Sequence, residues 1–363
     1  MMARKHNFFA GPAVMPVPAI KQAQKDLYEF KETGIGLAEI SHRSKAFDDV
    51  LIETIARAKR LYKIPEDYSI LFVQGGASMM MAINALDFVP EGAVAQLIDS
   101  GRWSERAIKE VNRSKGTADV VWSGKEYNYS KLPNVDELEF NDNAAFVHIT
   151  SNNTVAGSQF HKFPQTKAPL FVDASSDFFS RPLDISKFGM LYGGVQKNLG
   201  PSGSAMVIVK KELLERIPDG LSEMLDLRIY DKKNSMYNTP STFVIYMVNL
   251  TLKWLEEEIG GLDKMYALNL KKQALLNDLF DKYSDFYKPV ISKKEDRSYM
   301  NMTFRLHNQE LESVIIKKAT DAGFIGLKGH RSVGGLRASI YNSCPLESVQ
   351  KLTAFLENFV HNH

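Results

Sequence analysis

Short apolar runs recur through the first 210 residues of the chain, and most are apolar on both faces rather than alternating. Each run has about the length of a β-strand. Strands of this kind are typical of a sheet that helices cover on both sides. The runs are SILFVQ (69–74), AVAQLI (93–98), DVVW (119–122), AAFVHIT (144–150), PLFVDA (169–174), MLYGGV (190–195) and SAMVIVK (204–210).

Helical patterns lie between several of these runs. MMMAINALDF follows the first run, and WSERAIKEVNRSK follows the second. Alternation of strands and helices predicts an α/β domain with a mainly parallel, seven-stranded sheet.

The pattern changes after residue 240, where a helix-rich stretch (241–283) is broken at Gly260-Gly261. A smaller α+β domain is predicted from the elements that follow, which are strands at 300–306 and 335–341 and helices at 310–323 and from about Leu346. We therefore predict a large domain at 15–258 and a small domain at 259–363, joined by an N-terminal segment, 1–14.

Length and composition agree with an ordinary globular protein. A chain of 363 residues favours two domains, because single cores stop growing at roughly 250–300 residues. Apolar residues make up 44% and charged residues 24%. The 45 basic and 43 acidic side chains leave a net charge of +2 with no sustained basic stripe, so no nucleic-acid partner is expected.

The single cysteine, Cys344, excludes an intrachain disulfide and a cysteine-rich metal site, and no metal is predicted. No apolar run approaches the roughly 18 residues that a membrane span needs. The first residues do not read as a signal peptide. We expect a cytoplasmic protein that has no membrane partner.

Polar residues follow several of the predicted strands, at the sheet edge where ligands of parallel sheets bind. Gly75-Gly76-Ala77-Ser78 follows the first strand and opens a helix, so its backbone N–H groups could hold a phosphate. A tight strand-to-helix turn without a ligand fits the same residues.

Three further positions each allow a functional and a structural interpretation. Asp173, at the end of a buried strand, could pair with a protonated ring nitrogen, or could cap a helix or form a buried ion pair. Trp103 could stack on a flat ligand or pack in the core. Thr154 could donate a hydrogen bond to a ligand or stabilise its own loop.

Lys197 lies in the nearly uncharged, glycine-rich stretch YGGVQKNLGPSG (192–203), just after a strand on the same edge as Asp173 and Thr154. A lysine in a partly desolvated pocket has a lowered pKa and can form a Schiff base. A lysine for an aldehyde, an aspartate for a ring nitrogen and a turn for a phosphate together indicate a pyridoxal phosphate site.

With these motifs in view, the chain resembles the phosphoserine aminotransferase family, which belongs to the class V, fold-type-I pyridoxal-phosphate enzymes. The matches extend along almost the whole chain. They are FFAGPAVMP (8–16), EISHRSKAF (39–47), QGGAS (74–78), DSGRWSERA (99–107), DASSDFFSRPLD (173–184), YGGVQKNLGPSG (192–203), YNTPSTF (237–243) and KGHRSVGGLRASIYN (328–342).

The resemblance implies a role for each matching residue around pyridoxal 5′-phosphate. Lys197 would form the Schiff base and shuttle the proton, and Asp173 would pair with the pyridine nitrogen. Trp103 would stack on the ring, and Thr154 would hydrogen-bond its phenolic oxygen. The resemblance also implies that two sets of residues bind the cofactor phosphate. They are Ala77, Ser78 and Gln196 of one subunit, and Asn238 and Thr239 of the other. A homodimer with shared active sites is therefore implied.

A phosphorylated 2-oxo acid carries a carboxylate and a phosphate, so it needs an arginine at one end and a cationic cluster at the other. Arg337 is similar to the family's α-carboxylate arginine. Two His-Arg pairs, His42-Arg43 and His330-Arg331, are similar to its distal anion cluster. On their residue types alone, the same pairs could be ordinary surface charge.

The resemblance implies amino transfer between L-glutamate and 3-phosphohydroxypyruvate, giving 2-oxoglutarate and O-phospho-L-serine for serine biosynthesis. Family members also act on the phosphorylated 3-hydroxy-2-oxo acid of vitamin B6 synthesis, giving 4-phosphohydroxy-L-threonine, and this second activity stays open. Two positions depart from some relatives: Ala10 stands where they have serine, and GGAS stands where they have GGGR.

Three other functions are weighed against this one. A cysteine desulfurase would need a catalytic thiol on a mobile loop, whereas Cys344 precedes Pro345 between a strand and the last helix. An aminotransferase for unphosphorylated acids would not need two His-Arg pairs. A non-catalytic cofactor-binding protein would not need the full anion cluster.

Overall fold

The structure is a computed structural model, and it describes residues 4–363. Its strands are β1 (His6–Asn7), β2 (Tyr68–Gln74), β3 (Val94–Asp99), β4 (Thr117–Ser123), β5 (Val147–Thr150), β6 (Leu170–Asp173), β7 (Met190–Gly194), β8 (Ser204–Lys210), β9 (Tyr287–Pro289), β10 (Asn301–Leu306), β11 (Phe324–Ile325) and β12 (Leu336–Ser339). Its α-helices are α1 (Val17–Asp26), α2 (Lys45–Tyr62), α3 (Ala77–Phe88), α4 (Arg102–Arg113), α5 (Lys211–Leu214), α6 (Leu227–Lys232), α7 (Thr242–Lys253), α8 (Leu262–Lys282), α9 (Leu311–Asp321) and α10 (Leu346–His361).

The predicted apolar runs form one seven-stranded sheet in the order β2-β8-β7-β6-β5-β3-β4. Neighbouring strands from β7 to β4 pair in parallel, and β8 pairs antiparallel with both β2 and β7. The prediction of a mainly parallel, seven-stranded sheet is therefore confirmed.

Alternate side chains of each central strand enter two different cores, which explains why these runs are apolar on both faces. In β2, Leu71 and Val73 pack into the core that contains α3 and α4 residues. Ile70 and Phe72 point the other way, into the core that contains α2 and α7 residues. Helices thus cover the sheet on both sides.

Because β8 runs antiparallel beside β7, the chain between these strands turns back directly instead of crossing over through a helix. The turn is pinned at its base, where Val195 N donates to Ser204 O at 3.1 Å. The neighbouring strand on the other side of β8 is β2, which leads into α3. Topology therefore brings the Lys197 loop next to the N-terminus of α3.

The later part of the chain builds a second core around the antiparallel sheet β12-β10-β9. Phe304 of β10 and Leu336 of β12 pack there with Leu276 of α8 and Leu352 of α10. The predicted helix break at Gly260-Gly261 is confirmed, since a π-helical turn at Trp254–Ile259 ends there and both glycines have positive φ.

The beginning of the described chain packs against this later part. β1 pairs in parallel with β11, a short pair that the sequence analysis missed, and Phe8 lies fully buried in the second core. Residues 1–3 of the predicted N-terminal segment 1–14 lie outside the described residues. The division at 258/259 stays a prediction. None of the helices in residues 4–363 combines the length and apolar character that crossing a membrane requires.

The end of β12 is held by an unusual buried cation. Lys272 of α8 is completely buried, and its Nζ lies 2.9 Å from Ile340 O, 2.6 Å from Tyr341 O and 3.4 Å from Asn342 O. Burial lowers the pKa of Lys272 to about 8. These three carbonyls belong to the loop whose Asn342 N donates to Asn198 Oδ1 at 3.0 Å, one residue from Lys197.

We expect Lys272→Met to lower the free energy of unfolding by about 3 kcal/mol, because buried carbonyl oxygens lose their donor while apolar volume is kept. Urea unfolding would measure this change. The adjacent, exposed Lys271 provides the matched control, since Lys271→Met should change stability by no more than about 0.5 kcal/mol. Equal effects of both substitutions would contradict the assigned role of Lys272.

Candidate active site

Lys197 lies in the loop between β7 and β8 and is only 8% exposed. Its Nζ donates a hydrogen bond to Thr154 Oγ1 at 2.6 Å and lies 5.5 Å from the centre of the Trp103 ring. The sequence analysis grouped these three residues with Asp173, and the structure brings all four together.

Burial lowers the pKa of Lys197 to about 8, because the interior disfavours its charged form. The nearby Arg337 lowers it further, whereas Asp173 and Asp177 oppose the shift. Burial likewise raises the pKa of Asp173, and the Lys197 ammonium and Ser175 oppose that change. The lysine therefore becomes a neutral nucleophile at a pH well below that of an exposed lysine.

Asp173 ends β6, where it is 3% exposed. Its Oδ1 accepts hydrogen bonds from Ser175 N at 3.0 Å and from Ser175 Oγ at 2.5 Å, and Gly194 N donates to Ser175 Oγ at 3.0 Å. Both bonds end on Oδ1, which leaves Oδ2 available to a ligand in the adjoining cavity. The sequence analysis missed Ser175, because no pattern distinguishes it from other serines.

Thr154 follows β5 and joins Lys197 to the later part of the chain. Its Oγ1 also donates to Ser176 Oγ at 3.0 Å, and its carbonyl accepts a hydrogen bond from Arg337 Nη1 at 3.0 Å. Arg337 lies in β12, and its Nε is buried without a partner in the described structure. The guanidinium therefore keeps a donor that no group of the described chain satisfies.

A cavity of about 150 Å³ lies between these side chains and the N-terminus of α3. Ala77 and Ser78 open α3 after Gly75 and Gly76, both of which have positive φ. The N–H groups at the first turn of a helix have no intrahelical acceptors and attract anions. The lining residues are Gly75, Gly76, Ala77, Ser78, Trp103, Asp173, Ser175, Gln196, Lys197, Ser202 and Gly203.

The N-terminal segment closes one side of this site, which sequence reasoning did not predict. A side chain at Gly11 would meet Lys197 Cγ at 3.3 Å, and the backbone there has a φ of 144°. Ala13 N donates to Gln196 O at 3.0 Å, and the Ala10 carbonyl accepts from Tyr341 Oη at 2.7 Å. The Gly-Pro motif at 11–12 thus supports the lysine loop directly.

Only part of the predicted anion cluster meets the site within one chain. Burial lowers the pKa of His330, and the positive charges of Arg102, Arg337 and Arg331 lower it further. Arg102 Nη1 lies 3.1 Å from His330 Nε2. Arg102 was not predicted as a site residue.

The remaining predicted residues do not line the cavity within one chain. Within residues 4–363, no hydrogen bond or ion pair connects His42, Arg43, Asn238 or Thr239 to Lys197, and none of the four lines the cavity. Thr239 O accepts a bond from Gln74 Nε2 at 2.8 Å. His42 Nε2 and Asn238 Oδ1 are buried without partners in the described chain.

Comparison with known proteins decides the family. The sequence profile described as Aminotransferase class-V matches residues 6–352. The phosphoserine aminotransferase of Geobacillus kaustophilus is 48% identical to the chain over 358 residues, which are 99% of each protein. The chain belongs to the phosphoserine aminotransferase family of class V aminotransferases. The family resemblance found in the sequence is therefore confirmed.

Solved structures agree with this class V aminotransferase fold. Phosphoserine aminotransferase from Bacillus circulans subsp. alkalophilus is 45% identical, with a TM-score of 0.96 and 99% of each chain covered. The phosphoserine aminotransferase of Trichomonas vaginalis, described as PLP bound, is 34% identical, with a TM-score of 0.89 and coverage of 98% of this chain and 100% of its own.

The cavity of this class V aminotransferase fits pyridoxal phosphate chemically. The cavity combines an amine whose pKa is lowered by burial, a buried carboxylate and a helix N-terminus whose free N–H groups suit a phosphate. Trp103 borders the cavity, and its Nε1 is buried without a partner in the described chain. Lys197, Asp173, Trp103, Thr154 and the first turn of α3 could therefore hold the group.

The burial of Cys344 makes it a poor catalytic thiol in this class V aminotransferase. Cys344 is 1% exposed and packs in the second core, and burial raises the pKa of its thiol to about 11. A thiol with a raised pKa is a poor nucleophile near neutral pH. This observation disfavours the desulfurase alternative.

In the cofactor-free protein, we expect the Lys197 amine to react with a small acylating reagent with a pH midpoint near 8. Peptide mass spectrometry after labelling at a series of pH values would measure this midpoint, with exposed lysines, near pH 10.4, as internal references.

The sign of the Asp173 effect gives a stricter check. Asp173 raises the pKa of Lys197, so Asp173→Asn should move the labelling midpoint to lower pH. A midpoint that rises in this variant would contradict the electrostatic assignment.

Proposed function

We propose that the protein is a phosphoserine aminotransferase that uses pyridoxal 5′-phosphate. It transfers the amino group reversibly between L-glutamate and 3-phosphohydroxypyruvate, which yields 2-oxoglutarate and O-phospho-L-serine in serine biosynthesis. One observation carries the proposal: a single cavity combines Lys197, Asp173, Trp103 and the α3 N-terminus in a chain that matches phosphoserine aminotransferases over its full length.

The cofactor residues have separate tasks in this proposal. Pyridoxal phosphate supplies an aldehyde that condenses with amines and a ring that withdraws electrons from the carbon being deprotonated. The Asp173 carboxylate would bind the ring nitrogen and keep it protonated, and Trp103, which borders the same cavity, would pack against the ring. Ala77 and Ser78 at the start of α3, with Gln196, bind the phosphate group.

Lys197 Nζ takes the proton from the α-carbon of the amino-acid substrate. Its lowered pKa supports this task, because an amine with a pKa of about 8 is partly in its neutral, basic form near neutral pH. Thr154 Oγ1, at 2.6 Å, holds the amine before substrate arrives and hydrogen-bonds the phenolic oxygen of the ring.

Two cationic regions bind the ends of the substrate. Arg337 binds the α-carboxylate. This role is supported by its Nε, which has no partner in the described chain, and by its hydrogen bond to the carbonyl of Thr154. His330 and Arg331, with His42 and Arg43, bind the distal phosphate or the side-chain carboxylate of glutamate. One pocket therefore serves both halves of the reaction.

We further propose a cytoplasmic homodimer in which the active sites are shared. Support comes from four predicted residues that neither bond to Lys197 nor line its cavity within their own chain. Two of the four have buried polar atoms without partners in the described residues. In the proposed dimer, His42 and Arg43 bind substrate and Asn238 and Thr239 bind the cofactor phosphate across the subunit interface. The large domain, 15–258, holds the cofactor, and 259–363 forms the small domain. Action on the vitamin B6 precursor remains an additional proposal.

We expect O-phospho-L-serine to remove the visible absorption band of the holoenzyme at a concentration at least about tenfold below that of L-serine, because only the former carries the phosphate. A spectral titration with each amino acid would measure this preference. A band that responds to neither compound would refute the proposed function.

Lys197→Ala should lower turnover by about 10³-fold or more, since it removes the group that moves the proton. The exposed Lys187, whose side chain is 68% accessible, supplies the control, and Lys187→Ala should keep the wild-type rate. Near-wild-type turnover by Lys197→Ala would exclude the assigned role.

Subunit mixing tests the shared site. Lys197→Ala and Arg43→Gln chains should each be weakly active alone. Their mixture should recover about a quarter of wild-type activity, because about half of randomly formed dimers are mixed and one of the two sites in each mixed dimer is intact. Refolding the two variants together and assaying the product would measure recovery. No recovery in a confirmed mixed dimer would show that Arg43 acts within its own subunit.

A further inference from the structure

Arg102 is the first residue of α4 and immediately precedes Trp103. Its Nη1 lies 3.1 Å from His330 Nε2, although the two residues are 228 positions apart in the chain. This contact joins the start of α4 to the segment that carries His330 and Arg331. Arg102 therefore lies at the same end of the site as the predicted distal anion cluster.

The His330 ring lies between two hydrogen-bond donors. A guanidinium has donors and no acceptor, so the contact with Arg102 needs Nε2 as the acceptor. On the other side of the ring, Ser332 N donates to Nδ1 at 3.2 Å, and Ser332 Oγ lies 2.7 Å from the same nitrogen. A neutral imidazole accepts at only one of its two nitrogens, so His330 cannot satisfy Arg102 and Ser332 N together. The contact with His330 therefore leaves one donor without an acceptor, which a ligand oxygen could supply.

Local physical chemistry disfavours an arginine at the position of Arg102. The N-terminus of a helix carries partial positive charge, so a cation in its first turn is unfavourable. Arg106 at the i+4 position adds repulsion, which Glu105 at i+3 only partly offsets because its Oε1 accepts from Tyr129 Oη at 2.9 Å. Residues that break such local rules are expected at functional sites.

Although Glu105 lies three residues later in α4, no carboxylate forms an ion pair with Arg102 in the described part of the chain. Its one side-chain hydrogen bond there is to His330, and the charged groups that act on His330 are Arg102, Arg337 and Arg331, all cations. A groove of about 660 Å³ beside Arg102 and Trp103 leaves space for a solute to reach them. Several cations without a carboxylate partner are typical of a site that binds an anionic ligand.

We propose that Arg102 is a specificity-determining residue that binds the substrate's phosphate together with His330. The proposal rests on the proposed function, because it takes His330 as part of the substrate site. The phosphate replaces the contact between Arg102 and His330 and accepts hydrogen bonds from the guanidinium. A phosphate dianion has more charge and one more acceptor oxygen than the side-chain carboxylate of glutamate, so it uses Arg102 more fully.

Arg102→Gln should weaken binding of O-phospho-L-serine by about tenfold, whereas binding of L-glutamate should weaken by less than about threefold. Spectral titration of the holoenzyme with each amino acid would measure both dissociation constants. Arg102→Lys should restore part of the preference for phosphoserine, because it returns the charge but not the planar guanidinium. Inorganic phosphate should also compete less well with L-glutamate in Arg102→Gln.

Lys115→Gln is the control, since it removes a positive charge just beyond the other end of α4, where the side chain is 81% accessible and does not line the groove, and it should leave both constants unchanged. Equal weakening for both amino acids in Arg102→Gln, or no weakening for phosphoserine, would overturn the inference. A wild-type protein that binds phosphoserine no better than serine would overturn the proposed function as well. The wild-type titration therefore separates the two failures.

Discussion

The site depends on one constraint, which is that the amine of Lys197 must be shielded from water and still be held in one position. Lys197 meets both conditions because residues from several neighbouring strand ends surround it. Asp173 ends β6, Thr154 follows β5, and the lysine itself follows β7, so the register of three paired strands sets their spacing. A slip of β6 by one residue against its neighbours would turn Asp173 to the opposite face of the sheet. The chemistry of the site thus depends on strand pairing in the middle of the sheet.

Elements from the later part of the chain complete this arrangement. Asn198, the neighbour of Lys197, accepts a hydrogen bond from Asn342 N and donates from Nδ2 to Ser176 O at 3.0 Å. The loop that contains Asn342 is in turn held by the buried ammonium of Lys272. The position of the catalytic amine is therefore coupled to packing around α8, well outside the cavity itself.

The features that could be predicted from sequence were those with a local signal. Apolar runs predicted the sheet, and the position of Lys197 and Asp173 after such runs predicted that they meet at one edge. Gly11 and Ser175 could not be found in this way, because their roles arise from contacts with distant parts of the chain. Two-residue strands such as β1 and β11 carry too little pattern to be recognised. The contact between Arg102 and His330 required the tertiary structure for the same reason.

The pairing of β1 with β11 has a consequence for the order in which the chain is made. His6 is synthesised long before its partners, since it pairs with Phe324, and Ser348, whose Oγ is 2.8 Å from His6 Nδ1, is 342 positions later. During synthesis, the large sheet and its lysine can therefore form before β11 exists. The segment of β1, which leads to Gly11 beside Lys197, gains its strand partner only after β11 has emerged.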